Sequence, residues 1–152
     1  MKAIVCHAPE DLRLDTFETD ALGTHQLQVD VAYGGICGSD LHYYHHGGFG
    51  TVRIKEPMVL GHEVSGIVRV VGSAVQNFKA GQRIAISPSR PCGQCQYCQK
   101  GHHNHCLDMR FFGSAMRFPH VQGAFRQTLV IDASQAHPLH DSLSLSLAAL
   151  AE

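Results

Sequence analysis

The amino-acid sequence predicts a mainly-β domain, barrel-like or sandwich-like, with short helices and one turn-rich lobe stapled by metal rather than by a core. Three observations carry that expectation. Short runs with strand periodicity recur along the 152 residues, each bounded by turn residues. Helical patterning is confined to two brief stretches. Four cysteines, Cys92, Cys95, Cys98 and Cys106, fall within fifteen residues of a segment with little apolar content.

Taken in order, residues 2–6 and 12–17 read as two strands joined across a turn at Pro9-Glu10-Asp11. Residues 26–33 alternate polar and apolar almost strictly, the period of a half-buried strand. The pair Gly34-Gly35 is expected to end that strand and let the backbone turn sharply into Cys37. Ser39 and Asp40 are favoured N-cap residues, so a short helix is expected to begin there, with its free N–H groups towards Cys37. Residues 45–57 read as a glycine-rich loop and residues 58–60 as a short apolar segment. Strands are expected over 64–71, 82–87, 123–131 and 136–139, with turns at Gly72-Ser73 and at residues 78–81. Residues 88–108 form the turn-rich lobe. Ser144 caps a last helix over 145–152, which has no stop signal, so the chain is expected to end in mid-element.

The bulk properties exclude several classes of function. Length suits one domain that buries its own core. A net charge of −1 gives no electrostatic footprint for nucleic acid or an anionic membrane. The apolar runs fall short of the ~20 residues of a spanning helix, and the start lacks a signal-peptide pattern. A cytoplasmic location is expected. No Gly-x-Gly-x-x-Gly follows a strand and there is no Walker-type loop, so no nucleotide site is recognisable.

The cysteine cluster is the strongest chemical signal. Four thiolates satisfy tetrahedral Zn2+ completely, which makes such a site structural. The Cys-x-x-Cys turns let neighbouring sulfurs face one ion. Disulfides, an iron–sulfur cluster and inert thiols are the competing readings, since ferredoxin-type spacing also runs Cys-x-x-Cys-x-x-Cys. His102, His103 and His105 lie close enough in sequence to substitute as ligands, or are simply solvated.

A second constellation pairs Cys37 with His62, each beside the end of a strand. With a carboxylate added, they form the three-ligand pattern of a catalytic zinc with one open position. Alone, Cys37 reads equally as a small buried hydrophobe. Its company is Ser39 and His42, in the order a proton relay needs, and Glu63 beside His62. Asp40 is a candidate to orient the His62 ring. The aromatic stretch Tyr43-Tyr44-His45-His46 is either a pocket wall or a solvated loop with one packed tyrosine. Phe111-Phe112 is expected to be packing, and Cys6 a buried thiol.

The run Gly35-Ile36-Cys37-Gly38-Ser39-Asp40-Leu41-His42, then Gly61-His62-Glu63-Val64-Ser65-Gly66, then the four cysteines, resembles the zinc-dependent medium-chain alcohol and polyol dehydrogenases. The match runs in order along essentially the whole chain. Residues 108–116 with Phe118-Pro119-His120 are similar to the L-idonate 5-dehydrogenase branch, and the sorbitol dehydrogenase branch comes next. The resemblance implies a GroES-like, partly open β-barrel over residues 1–152, ending about where a Rossmann NAD(P) domain begins. It implies one catalytic and one structural Zn2+, with NAD or NADP in the intact enzyme. Cys37 and His62 would be catalytic ligands, and Glu63 a ligand or an adjacent carboxylate. Glu152 falls where a later metal-holding glutamate belongs, Ser39 would take the substrate proton, and His42 would pass it on. The implied activity is oxidation of a secondary alcohol of a sugar acid or polyol to a ketone. The intact enzyme is expected to be a homo-oligomer and the fragment inactive alone. A non-catalytic zinc-binding module is the alternative.

Overall fold

The computed structural model describes residues 1–152. The chain opens with an antiparallel hairpin of β1 (Lys2–Ala8) and β2 (Asp11–Thr16), in which Ile4 pairs with Leu14. Strand β3 (Gln26–Gly35) buries Leu27 and Val29 on one face, as its alternation dictates. It runs directly through Gly34 and Gly35 instead of turning at them.

Helix α1 (Gly38–His46) follows, capped by Cys37 rather than by Ser39 or Asp40. Cys37 has extended dihedrals, and Asp40 at the third helical position accepts a hydrogen bond from the Cys37 amide at 3.0 Å. The helix covers the start of the expected loop because no breaker occurs until Gly47, which ends it in the left-handed region (φ 67). A small hairpin, β4 (Gly48–Phe49) and β5 (Val52–Arg53), fills most of the remainder.

Strand β6 (Met58–Val59) pairs with β1, giving a three-stranded sheet in the order β2-β1-β6. The larger sheet is built by β7 (Glu63–Val71) and β8 (Arg83–Ile86), with two later strands, β11 (Thr128–Asp132) and β12 (Ala136–Pro138). Its order is β11-β3-β7-β8-β12, antiparallel at every pairing. Between β8 and β11 lie a two-residue ladder, β9 (Ser89–Arg90) with β10 (Arg110–Phe111), short 3-10 turns and an isolated bridge of Ser114 with Val121.

The strand expected over 123–131 divides in two. Residues 123–127 cross between the sheets before β11 begins, the Gly123 amide donating to Val59 O of the first sheet (2.8 Å) and Gln127 O accepting from the Val31 amide of the larger one (3.0 Å). This crossing segment closes one side of the partly open barrel. The main core is Leu27, Val29, Val64, Val68, Ile84, Leu129 and Ile131, with Phe78 at its edge. A second cluster of Cys6, Tyr43, Met58 and Leu60 seats α1 on the first sheet.

The last helix, α2 (Leu145–Ala148), is shorter than expected. Ser144 Oγ caps it by accepting from the Leu147 amide at 3.2 Å, and Ser65 Oγ donates to Leu145 O at 2.6 Å, tying it to β7. After Ala149 the bonds tighten to the 3-10 pattern, Leu150 to Leu147 and Ala151 to Ala148, and the regular helix stops. No helix is long and apolar enough to cross a membrane.

Candidate metal centres

Adjacent strands β3 and β7 deliver the first centre. Gly35 pairs with Glu63 across the sheet, so Cys37, His62 and Glu63 arrive together from two neighbouring strand ends. Their ligand atoms, one thiol, one imidazole nitrogen and one carboxylate oxygen, all lie within 4.8 Å of one another. The two glycines beside these residues are sterically required. A Cβ on Gly35 would run into the Glu63 carboxylate and come within 2.9 Å of the Leu150 side chain. Gly61 holds φ 91, left-handed backbone, and a Cβ there would enter the Phe125 ring.

Asp40 acts otherwise than expected. Its Oδ1 stands 3.9 Å from His62 Nδ1, too far for a hydrogen bond. Instead Oδ2 accepts from the Cys37 amide and Oδ1 from the Gly61 amide, both at 3.0 Å. One buried carboxylate therefore ties the backbones of both ligand loops together. His62 is buried, and its Nδ1 is the one enclosed side-chain polar atom without a partner.

A cleft of about 810 Å³ opens beside His62 and is also lined by Ser39, Phe49, Phe111, Met116 and Phe118. The Phe111 ring lies 5.3 Å from the His62 ring, so Phe111 walls the site, while Phe112 packs on the main core. Ser39 is half-buried. His42 follows one helical turn on and is exposed. Tyr43 is a buried packing residue whose hydroxyl accepts from the Ala115 amide at 3.0 Å; Tyr44 is half-buried, and His45 and His46 face solvent. Glu152 is exposed, lines a different cavity with Ala151 and His137, and is not among the residues brought together.

In the lobe, the sulfurs of Cys92, Cys95, Cys98 and Cys106 all lie within 4.8 Å of one another, and no disulfide joins any of the six cysteines. Backbone amides point at the sulfurs: Cys92 N to Cys106 Sγ at 3.2 Å, Cys95 N to Cys92 Sγ at 3.4 Å and Asp108 N to Cys106 Sγ at 3.4 Å. The Cys98 amide and further backbone donors bring the Cys95 thiol down to about 6. The Cys92 amide likewise lowers Cys106. Burial pushes Cys98 up to about 12. Four sulfurs this close cannot all ionise without a cation among them, and a dication fits that donor set as a closed, tetrahedral site. His102, His103 and His105 are exposed and stay outside the cluster. Cys6 is fully buried, and burial raises its thiol above the ordinary value.

The two donor sets differ in kind. Four sulfurs form a complete coordination shell. One sulfur, one nitrogen and one oxygen leave room for a fourth ligand from the cleft.

Residues 23–141 match the family model described as the alcohol dehydrogenase GroES-like domain. The chain belongs to this family. It is 50% identical over 124 residues to the L-idonate 5-dehydrogenase (NAD(P)(+)) of Escherichia coli strain K12, covering 82% of this chain and 36% of that protein. It is 38% identical over all 152 residues to the sorbitol dehydrogenase of Bacillus subtilis strain 168, spanning 42% of that protein. The crystal structure of the E. coli L-idonate 5-dehydrogenase superposes with a TM-score of 0.87 at 43% identity, covering 94% of this chain and 40% of that one. The chain thus spans about two fifths of the length of these relatives.

Proposed function

We propose that residues 1–152 form the catalytic domain of a zinc-dependent NAD(P) oxidoreductase that converts a secondary alcohol of a sugar acid or polyol to a ketone. The observation that carries this reading is the meeting of the Cys37, His62 and Glu63 donors, with His62 and Ser39 lining one cleft. An idonate and a sorbitol dehydrogenase among the relatives support the substrate class.

Cys37, His62 and Glu63 would hold a Zn2+ ion, which would supply Lewis-acid polarisation of a substrate hydroxyl. Glu63, not Glu152, is the carboxylate we assign to that set. The Ser39 hydroxyl accepts the substrate proton, and His42, exposed one turn along α1, hands it to solvent. Phe111, Met116 and Phe118 give the cleft beside His62 an apolar wall. Cys92, Cys95, Cys98 and Cys106 would hold a second Zn2+ that braces the lobe. With no dinucleotide motif in these residues, the reading assigns NAD or NADP to a second domain, and residues 1–152 alone do not turn over.

Elemental analysis of the purified chain tests this. Two zinc ions per chain are expected, falling to one in Cys37→Ala. An unchanged count in that variant would overturn the catalytic reading in favour of a structural zinc module. Formation of NAD(P)H from idonate or sorbitol by residues 1–152 would overturn the need for a second domain.

A further inference from the structure

A polar cavity of about 310 Å³ adjoins the cleft at β10. Phe111 turns to His62 and Phe112 lines this second cavity, while Arg110 and Val121 border both. Three guanidinium-bearing residues line it, Arg90, Arg110 and Arg126, against a single carboxylate, Asp20.

The charges there are poorly balanced. Arg90 and Arg110 are direct partners across the β9–β10 ladder, an arrangement that like charges disfavour. That ladder has two residues per strand and no further strand to support it. Arg90 Nε is 3.9 Å from Asp132 Oδ2, beyond hydrogen-bond reach, and Asp132 Oδ1 already accepts from Gln26 Nε2 at 2.9 Å. Arg110 makes neither an ion pair nor a side-chain hydrogen bond. Arg126 has a side chain only 8% exposed, and burial works against its charge. Its Nε donates to Gly123 O at 3.0 Å and one terminal nitrogen to Asp20 at 3.1 Å. Asp20 itself is 61% exposed, a weak counter-ion for a buried cation.

We propose that Arg90, Arg110 and Arg126 form an oxyanion-binding site that takes a phosphoryl or carboxylate group. A planar guanidinium offers two parallel donors that match either group. Arg90 and Arg110 reach the group from neighbouring strands and Arg126 from the cavity's buried side. The bound anion replaces the repulsion between the two strands with a shared counter-ion. The site shares Arg110 with the cleft but does not depend on the metal assigned there.

Thermal denaturation of the zinc-loaded chain tests it, because a ligand that binds only the native state raises its melting temperature. Sodium phosphate and sodium succinate are titrated against sodium chloride at matched ionic strength. A saturable rise with either is expected, and which of the two acts identifies phosphoryl or carboxylate as the preferred group. Arg110→Gln, a change at an exposed position, is expected to raise the half-saturating concentration at least tenfold with an unchanged far-UV spectrum. Arg69→Gln, on β7 away from the cavity, is expected to respond as the unaltered chain does. No rise beyond chloride, an Arg110→Gln response equal to that of the unaltered chain, or an equal loss in Arg69→Gln would each overturn the proposal.

Discussion

Asp40→Asn tests the clamp that joins the two ligand loops. Asp40 is 3% exposed, and each of its oxygens accepts one backbone N–H, from Cys37 and from Gly61. An amide of the same shape has one oxygen. Whichever way it flips, one of the two N–H groups faces an NH2 donor in a buried site. A hydrogen bond to a charged group contributes about 1.5–3 kcal/mol, a neutral one about 1 kcal/mol, and an unsatisfied buried donor costs about 1–3 kcal/mol. Stranding one donor (about 1–3 kcal/mol) and weakening the remaining bond (about 0.5–2 kcal/mol) together cost about 1.5–5 kcal/mol. For a domain of this size each kcal/mol moves the melting temperature by about 2–4 °C, so a fall of roughly 10 °C is expected. Urea denaturation of the zinc-loaded protein measures it. The loops bearing Cys37 and His62 also lose their common tether, so zinc should leave this centre at a lower chelator concentration than in the unaltered protein. A stability change below about 1 kcal/mol would refute the clamp, since no arrangement of one amide oxygen satisfies both donors.

Other perturbations separate the two centres. Gly35→Ala puts a methyl group where the Glu63 carboxylate lies, so it should strip the Cys37 centre and leave the four-cysteine zinc in place, read as one ion lost per chain. Gly61→Ala forces a side chain into left-handed backbone and into the Phe125 ring, and a loss of about 3 kcal/mol or more is expected in denaturant titration. Chelation should open the lobe to limited proteolysis at residues 88–108 while the main sheet resists. In the metal-free, reduced chain the Cys95 thiol is held down to about 6. Its contribution to stability is therefore complete above its unfolded value and is lost as pH falls through about 6, and Cys95→Ala should flatten that limb of the pH profile.

What could be read from the sequence, and what could not, divides by the range of the interaction. The four-cysteine centre was legible because Cys-x-x-Cys turns bring sulfurs together locally, whatever the rest of the chain does. The main strands were legible because each carries its own period-2 alternation. The Cys37 centre was only half legible: its residues could be named, but their meeting depends on the pairing of Gly35 with Glu63, a property of the sheet register. Gly34 and Gly35 looked like a turn signal, because a glycine kept for clearance and one kept for bending leave the same letter. Residues 123–127 carry strand-like letters, yet their hydrogen bonds go to two sheets at once.

Asp40 shows the limit most sharply. Its pairing with the Cys37 amide is local, three residues away, and a helix-start pattern predicts it. Its pairing with the Gly61 amide spans 21 residues and ends on a backbone atom, which no side-chain pattern can mark. A metal-bound histidine commonly has a carboxylate partner, and that rule pointed to the His62 ring. Both carboxylate oxygens are committed to backbone donors instead, so Asp40 positions His62 through the amide of Gly61, the residue before it. The donor geometry is thereby set by the fold rather than by a side-chain contact. For that reason Asp40→Asn should weaken metal binding and global stability together, whereas removing a proposed ligand such as Cys37 should cost the metal first.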